Sequence, residues 1–359
     1  MVSARPDIAD LYSRAVILQR EGNSRDAAQL FRRILSADPE HADAWQMLGL
    51  IHAGEGDLVE AARSMGHAVK LRPRDPKALS NLGNILFAMR QYHEALLFFE
   101  TALSIDPDAP VVWYNRGLVL WEIRRFEESL SSFDRALALR ADYPEAQLAR
   151  VAPLRDMGRL DEALQDCEAA LALQHDWLDA LNMHGSLLWR LKRFDAALDS
   201  FNRAQALAPR SAEIANNRGL ALSGLGRLPD SLHCFDQAVG FDPVHAEAWN
   251  NRGTILASLQ RFAEAVESFD RAIARRPDYA EALNNRGTAL VAMGRLEDGL
   301  ASHVAAVRAS PGNTAALYNQ ANALARLGRF TEALEAYDAV LAAFPRHPYA
   351  LGGAANAAL

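Results

Sequence analysis

Asparagine recurs in this chain at fixed intervals. Asn81, Asn115, Asn217, Asn251, Asn285 and Asn319 are spaced by 34 residues or multiples of 34. Asn182, Asn216, Asn250 and Asn284 form a second series one register earlier, and Asn84 and Asn322 follow the first series by three residues. A carboxamide both donates and accepts hydrogen bonds. A row of carboxamides could therefore hold an extended peptide by its backbone, indifferent to its side chains. Asn is a poor helix former, so propensity does not explain the recurrence; copying with a duplicated segment is the alternative. Three large rings, Phe87, Trp121 and Trp189, share another register. Exposed rings anchor partners, although a ring in this register could also cover the adjoining segment. Arginine recurs as Arg14, Arg116, Arg150, Arg218, Arg252 and Arg286. Glu100, Asp134, Glu168, Asp236 and Asp270 stand at matching offsets before or after most of them, which points to internal ion pairs and away from an anion-binding stripe.

Catalytic patterns are missing. His93-Glu94 lacks the second histidine of a zinc-protease motif. Gly224-Leu225-Gly226 lacks the third glycine and the strand context of a nucleotide site. Cys167 and Cys234 are read as buried small hydrophobes, unpaired. Glu145, Asp179, Glu213, Glu247 and Glu281 recur at one register, where a helix's first turn favours negative charge. No catalytic residue, cofactor or metal is expected.

The composition narrows the class further. With 359 residues, 50% hydrophobic and 23% charged, the chain is neither disordered nor, with two cysteines, a disulfide scaffold. A net charge of −7 argues against nucleic acid. No uncharged run is long enough to span a bilayer. Arg5, Asp7, Asp10 and Arg14 break up any secretory signal. A cytoplasmic protein with a protein or peptide partner is expected.

The elements that position these residues follow from a repeat of 34 residues without a gap. Ten units begin at Ile8, Ala42, Pro76, Pro110, Pro144, Leu178, Ala212, Ala246, Ala280 and Thr314 and cover residues 8–347; residues 348–359 begin an eleventh. With positions numbered 1 to 34 in each unit, the spacing predicts helices over positions 2–14 and 18–31. Glycine occupies position 15 in six units, suiting a left-handed turn. Proline at position 32 stops the second helix in eight. Position 8 is Gly or Ala in nine units, position 20 is small in all ten, and position 24 is aromatic in seven. Close helix approach is thus expected, with the ring filling the space between. One pair cannot bury this face alone, so neighbours must stack into an all-α solenoid. Unit five departs from the rule: Val151 is at position 8, Cys167 at position 24 and Pro153 inside the first helix. It is either drift or a bend. The small, apolar final residues, AANAAL, suggest a chain that continues past Leu359.

This pattern resembles the tetratricopeptide repeat family. The resemblance implies a right-handed superhelix of antiparallel helix pairs, with first helices lining a concave groove. Positions 5, 6, 9, 12 and 13 would then face that groove, carrying all twelve asparagines named above with Phe87, Trp121 and Trp189. On such a face Asn251→Ala would leave stability within about 0.5 kcal/mol. The runs Asn216–Gly219, Asn250–Gly253 and Asn284–Gly287 are also similar to the N-terminal arm of bacterial SPINDLY-type O-linked N-acetylglucosamine transferase-like proteins. That resemblance implies a substrate-recognition arm whose catalytic region would lie beyond this chain. A chaperone-tail clamp would need Lys at position 5 and a basic residue at position 6, and neither occurs.

Overall fold

A computed structural model describes residues 7–357, so Arg5, Ala358 and Leu359 lie outside the described residues. Every element among the described residues is a helix. The chain divides into two compact units between His175 and Asp176, that is, near the end of the fifth repeat.

In the unit up to His175, repeats one to four are regular helix pairs. Ile8–Arg20 is followed by Ser24–Ala37, Ala42–Gly54 by Leu58–Leu71, Pro76–Ala88 by Tyr92–Ile105, and Pro110–Glu122 by Phe126–Leu139. First helices have 13 residues and second helices 14, and each begins one position earlier than the spacing predicted. Side chains of Asp7, Asn23, Asp57 and Asp75 accept bonds from the first free backbone N–H groups of their helices. The core is a row of small clusters and has no single centre. One gathers Phe31, Ile34 and Leu48; the next gathers Met65, Phe99 and Leu120.

Repeat five shows what Pro153 does. Its first helix is split into Pro144–Ala149 and Val151–Asp156, with Arg150 between them. Proline has no N–H to offer the carbonyl four residues back, at Ala149. The helix resumes through the Leu154 N–H, which reaches the Arg150 carbonyl at 3.2 Å. Packing adapts by exchanging sizes: Val151 at position 8 and Cys167 at position 24 are both fully buried.

The unit from Asp176 holds repeats six to ten and opens an eleventh. Leu178–Arg190 is followed by Phe194–Leu207, Ala212–Gly224 by Leu228–Phe241, Ala246–Ser258 by Phe262–Arg275, Ala280–Ala292 by Leu296–Ala309, and Thr314–Arg326 by Phe330–Ala343. Ala350–Ala357 is the start of the eleventh first helix.

In both units the turn at position 15 is left-handed in all ten repeats, with φ between 59° and 82°. Six use glycine; Arg90, Arg124, Lys192 and Gln260 adopt it with a side chain present. The small-against-large packing is equally regular. A Cβ on Gly83, Gly117, Gly185, Gly219 or Gly253 would stand 2.5–2.7 Å from the ring of Phe99, Phe133, Phe201, Phe235 or Phe269 in the same repeat. Where position 20 is serine, its hydroxyl also joins the helices: Ser129 and Ser231 donate to the carbonyls of Gly117 and Gly219, each at 2.7 Å.

Stacking between repeats has its own contacts. Trp45, Trp113 and Trp249 donate their indole N–H to the carbonyls of Pro39, Pro107 and Pro243 at the end of the preceding repeat. The recurrent arginines reach backwards too. Arg116, Arg252 and Arg286 pair with Glu100, Asp236 and Asp270 at 3.0, 2.7 and 2.6 Å. A second nitrogen donates to Ser132, Ser268 and Ser302 of their own repeats. Each guanidinium thus joins one repeat to the one before it. In repeat five Asp166 takes the serine's place, 3.3 Å from Arg150. Burial pushes its carboxyl above the ordinary range, against the pull of Arg150.

Candidate functional site

The asparagines take three different environments. In the second unit they form a ladder running from repeat to repeat. Asn217 Nδ2 donates to Asn182 Oδ1 at 2.9 Å, Asn251 to Asn216 at 2.9 Å, Asn285 to Asn250 at 3.2 Å and Asn319 to Asn284 at 3.0 Å. Each bond runs from position 6 of one first helix to position 5 of the helix before. Position 5 answers in the other direction: Asn182 and Asn250 donate to Glu213 and Glu281 at position 2 of the next repeat. Those acidic residues thus do more than complement a helix end.

This corrects the expectation that all twelve face a groove. Asn216 and Asn250 are 5% and 1% exposed. Position 5 lies where successive first helices meet, and a buried amide there needs internal partners. The residues at position 6 are half-buried. Asn251, Asn285 and Asn319 each give one N–H to the ladder, which leaves a second N–H and the carbonyl oxygen for another group. In the first unit Asn115 donates to Asn84 at 2.8 Å, and Asn81 is half-buried. Asn322 accepts from the Tyr337 hydroxyl at 2.7 Å.

The three rings at position 12 also divide. Phe87 packs into the first unit's core beside Tyr92. Trp121 is half-buried and donates its indole N–H to Asp156 at 2.9 Å. Both cover a neighbour. Trp189 is 38% exposed and lines a hollow.

That hollow is one of three in the second unit, each walled by adjoining first helices. Trp189, Asn217 and Leu220 contribute to one of about 250 Å³. Thr254, Asn285 and Thr288 contribute to one of about 300 Å³. Asn319, Asn322, Tyr318 and Arg326 line one of about 740 Å³, which Tyr349 helps to enclose. The linings draw on positions 6, 9, 12 and 13, as the groove assignment required. Thr254, Thr288, Tyr318 and Arg326 were not anticipated. Their signal was the register itself, read earlier only where it carried asparagine or a large ring.

One ladder member touches a titratable group. His303 stands at position 24 of repeat nine, where other repeats have a ring of phenylalanine, and is 1% exposed. Its Nδ1 lies 3.0 Å from Asn284 Oδ1. Burial lowers its pKa from 6.5 to about 4. The folded state therefore holds fewer protons than the unfolded state between those values. The stability tied to neutral His303 is complete above pH 6.5 and is lost as pH falls towards 4. At pH 4.5 the loss is about 2–3 kcal/mol. His303→Phe should remove it, and the shift in denaturation midpoint between pH 7 and pH 4.5 should shrink accordingly.

Neither cysteine offers chemistry. Both are free and buried, and burial pushes the Cys167 thiol up to about 12. No group of three or more metal-ligating side chains occurs among the described residues. Among those residues no helix is long and apolar enough to cross a membrane.

Sequence models described as tetratricopeptide repeat match residues 12–65, 114–176, 154–212, 182–231, 216–280, 284–348 and 318–359, and, in a second model, residues 76–109. The chain belongs to the tetratricopeptide repeat family. Among solved structures, this tetratricopeptide repeat chain is similar to YrrB, described as "a TPR protein with an unusual peptide-binding site". Identity is 27%, over 52% of this chain and 95% of that one, with a TM-score of 0.45. It is also similar to pilF of Pseudomonas aeruginosa, with 22% identity over 59% of this chain and 97% of that one, and a TM-score of 0.51. Yeast Tom70 matches 98% of this chain with 95% of its own, at 13% identity and a TM-score of 0.52. The last two share its fold. The chain is a helical-repeat scaffold of the protein-binding type.

Proposed function

We propose that this scaffold binds protein partners by taking an extended peptide segment along the first-helix face of repeats six to ten. The observation that carries the reading is the pairing of hollows with half-used amides. Asn251, Asn285 and Asn319 hold one N–H in the ladder and keep a donor and an acceptor at the surface, where backbone groups of a peptide could complete them. Phe87 and Trp121, occupied in packing, are dropped from the contact set; Asn81, Asn84 and Asn115 remain in it as a first-unit counterpart. A cytoplasmic setting belongs to the same proposal and accords with two unpaired, buried cysteines.

A second reading, the substrate-recognition arm of an O-GlcNAc transferase-like enzyme, draws support from the NNRG runs alone. In three successive repeats they place a ladder donor, a ladder acceptor and the backward-reaching arginine side by side. It uses the same groove and differs in what would follow the chain.

Blocking the face tests the proposal without touching the ladder amides. Thr254 and Thr288 are exposed and line the middle hollow. Thr254→Trp with Thr288→Trp should reduce calorimetric affinity for a panel of unstructured peptides at least about tenfold, the loss of roughly one backbone hydrogen bond. Unchanged affinity would move the binding site to another face.

A further inference from the structure

We propose that the hollow between repeats six and seven takes one large apolar side chain with an acidic group beside it. This selects which segments bind, and it rests on the groove reading above. The volume, about 250 Å³, is below that of pockets for whole small molecules and suits a single side chain. Trp189, Phe201 and Leu220 supply its apolar walls.

Its polar members make few demands of an occupant. Ser186 donates to the Asn182 carbonyl at 2.8 Å, and Asn217 donates to the Asn182 side chain. An apolar group can therefore enter without stranding a donor that needs a partner. The middle hollow differs: Ala257 stands where repeat six has Trp189, and two threonines line it. Sequence-tolerant holding and side-chain selection are thus separated along the same face.

The charge comes from Arg190. It is exposed, is the one charged residue in the lining, and forms no ion pair among the described residues. Trp189 and Arg190 are consecutive at the end of a first helix, so one peptide residue could fill the hollow while its neighbour meets the guanidinium. An Asp or Glu is the complement.

A phage-displayed library of random dodecapeptides, selected on the immobilised full chain, tests this. Enriched peptides should share Phe, Leu or Trp within two residues of Asp or Glu. A synthetic copy of an enriched peptide should bind Trp189→Ala about thirtyfold more weakly, as buried ring anchors do. Trp189→Phe should retain most of the affinity, separating the ring's role from damage to the fold. Arg190→Gln should remove the acidic preference and the salt dependence but keep the apolar one. Enriched peptides indifferent to Trp189→Ala and Arg190→Gln would overturn this inference and leave the groove reading standing. No enrichment over bare resin would overturn both.

Discussion

Gly253→Leu should destabilise the protein by about 3 kcal/mol or more, at the upper end of what overpacking costs. Even a single Cβ at this position would lie 2.6 Å from the Phe269 ring, which is 1% exposed and walled by its own repeat and the next. The leucine cannot turn to solvent, because position 8 faces the second helix directly. The measurement is a urea midpoint for each variant. Repeat five suggests the rescue, since it packs Val151 against the small Cys167. In a double-mutant cycle, Gly253→Val with Phe269→Cys should lose less than the sum of the two single changes. Additive losses would mean that positions 8 and 24 do not compete for one space.

The second large effect is expected from Asn217, Asn251, Asn285 and Asn319 replaced together by alanine. Each change removes a hydrogen bond to the preceding repeat, worth about 0.5–1.5 kcal/mol. Two of them also leave the buried Asn216 and Asn250 oxygens without a donor, at about 1–3 kcal/mol each. Several kcal/mol of stability should go, with helicity at low temperature unchanged. Asn251→Ala alone should cost about 1–3 kcal/mol, against the near-zero value expected from sequence. If the remaining amide groups also hold peptide backbone, affinity for diverse peptides should fall alike in the quadruple variant under folding conditions. Undiminished binding there would assign these amides wholly to the joining of repeats.

These expectations show where sequence and tertiary structure each had the decisive part. The repeat length, the left-handed turn, the proline stop and the small-against-large pairing are local rules. Each is satisfied inside one helix pair, so spacing along the chain was enough to read them. Even so, the ring at position 24 could become Cys167 or His303 without loss of the fold, because position 8 or a ladder amide adjusts. Partner choice between repeats was different. The acidic residues lie both 16 residues before and 18 after most of the recurrent arginines, and the sequence left the two open. How adjoining repeats stack decides it: the side chain points back, to Asp236 from Arg252 and to Asp270 from Arg286. The asparagines carry the same lesson. Their period placed them on one helical face, but positions 5 and 6 are 100° apart on a helix of 3.6 residues per turn. Only the seating of one first helix against the next shows that Asn250 is buried between them while Asn251 stays at the edge, with one N–H donated and the rest of its amide facing outward.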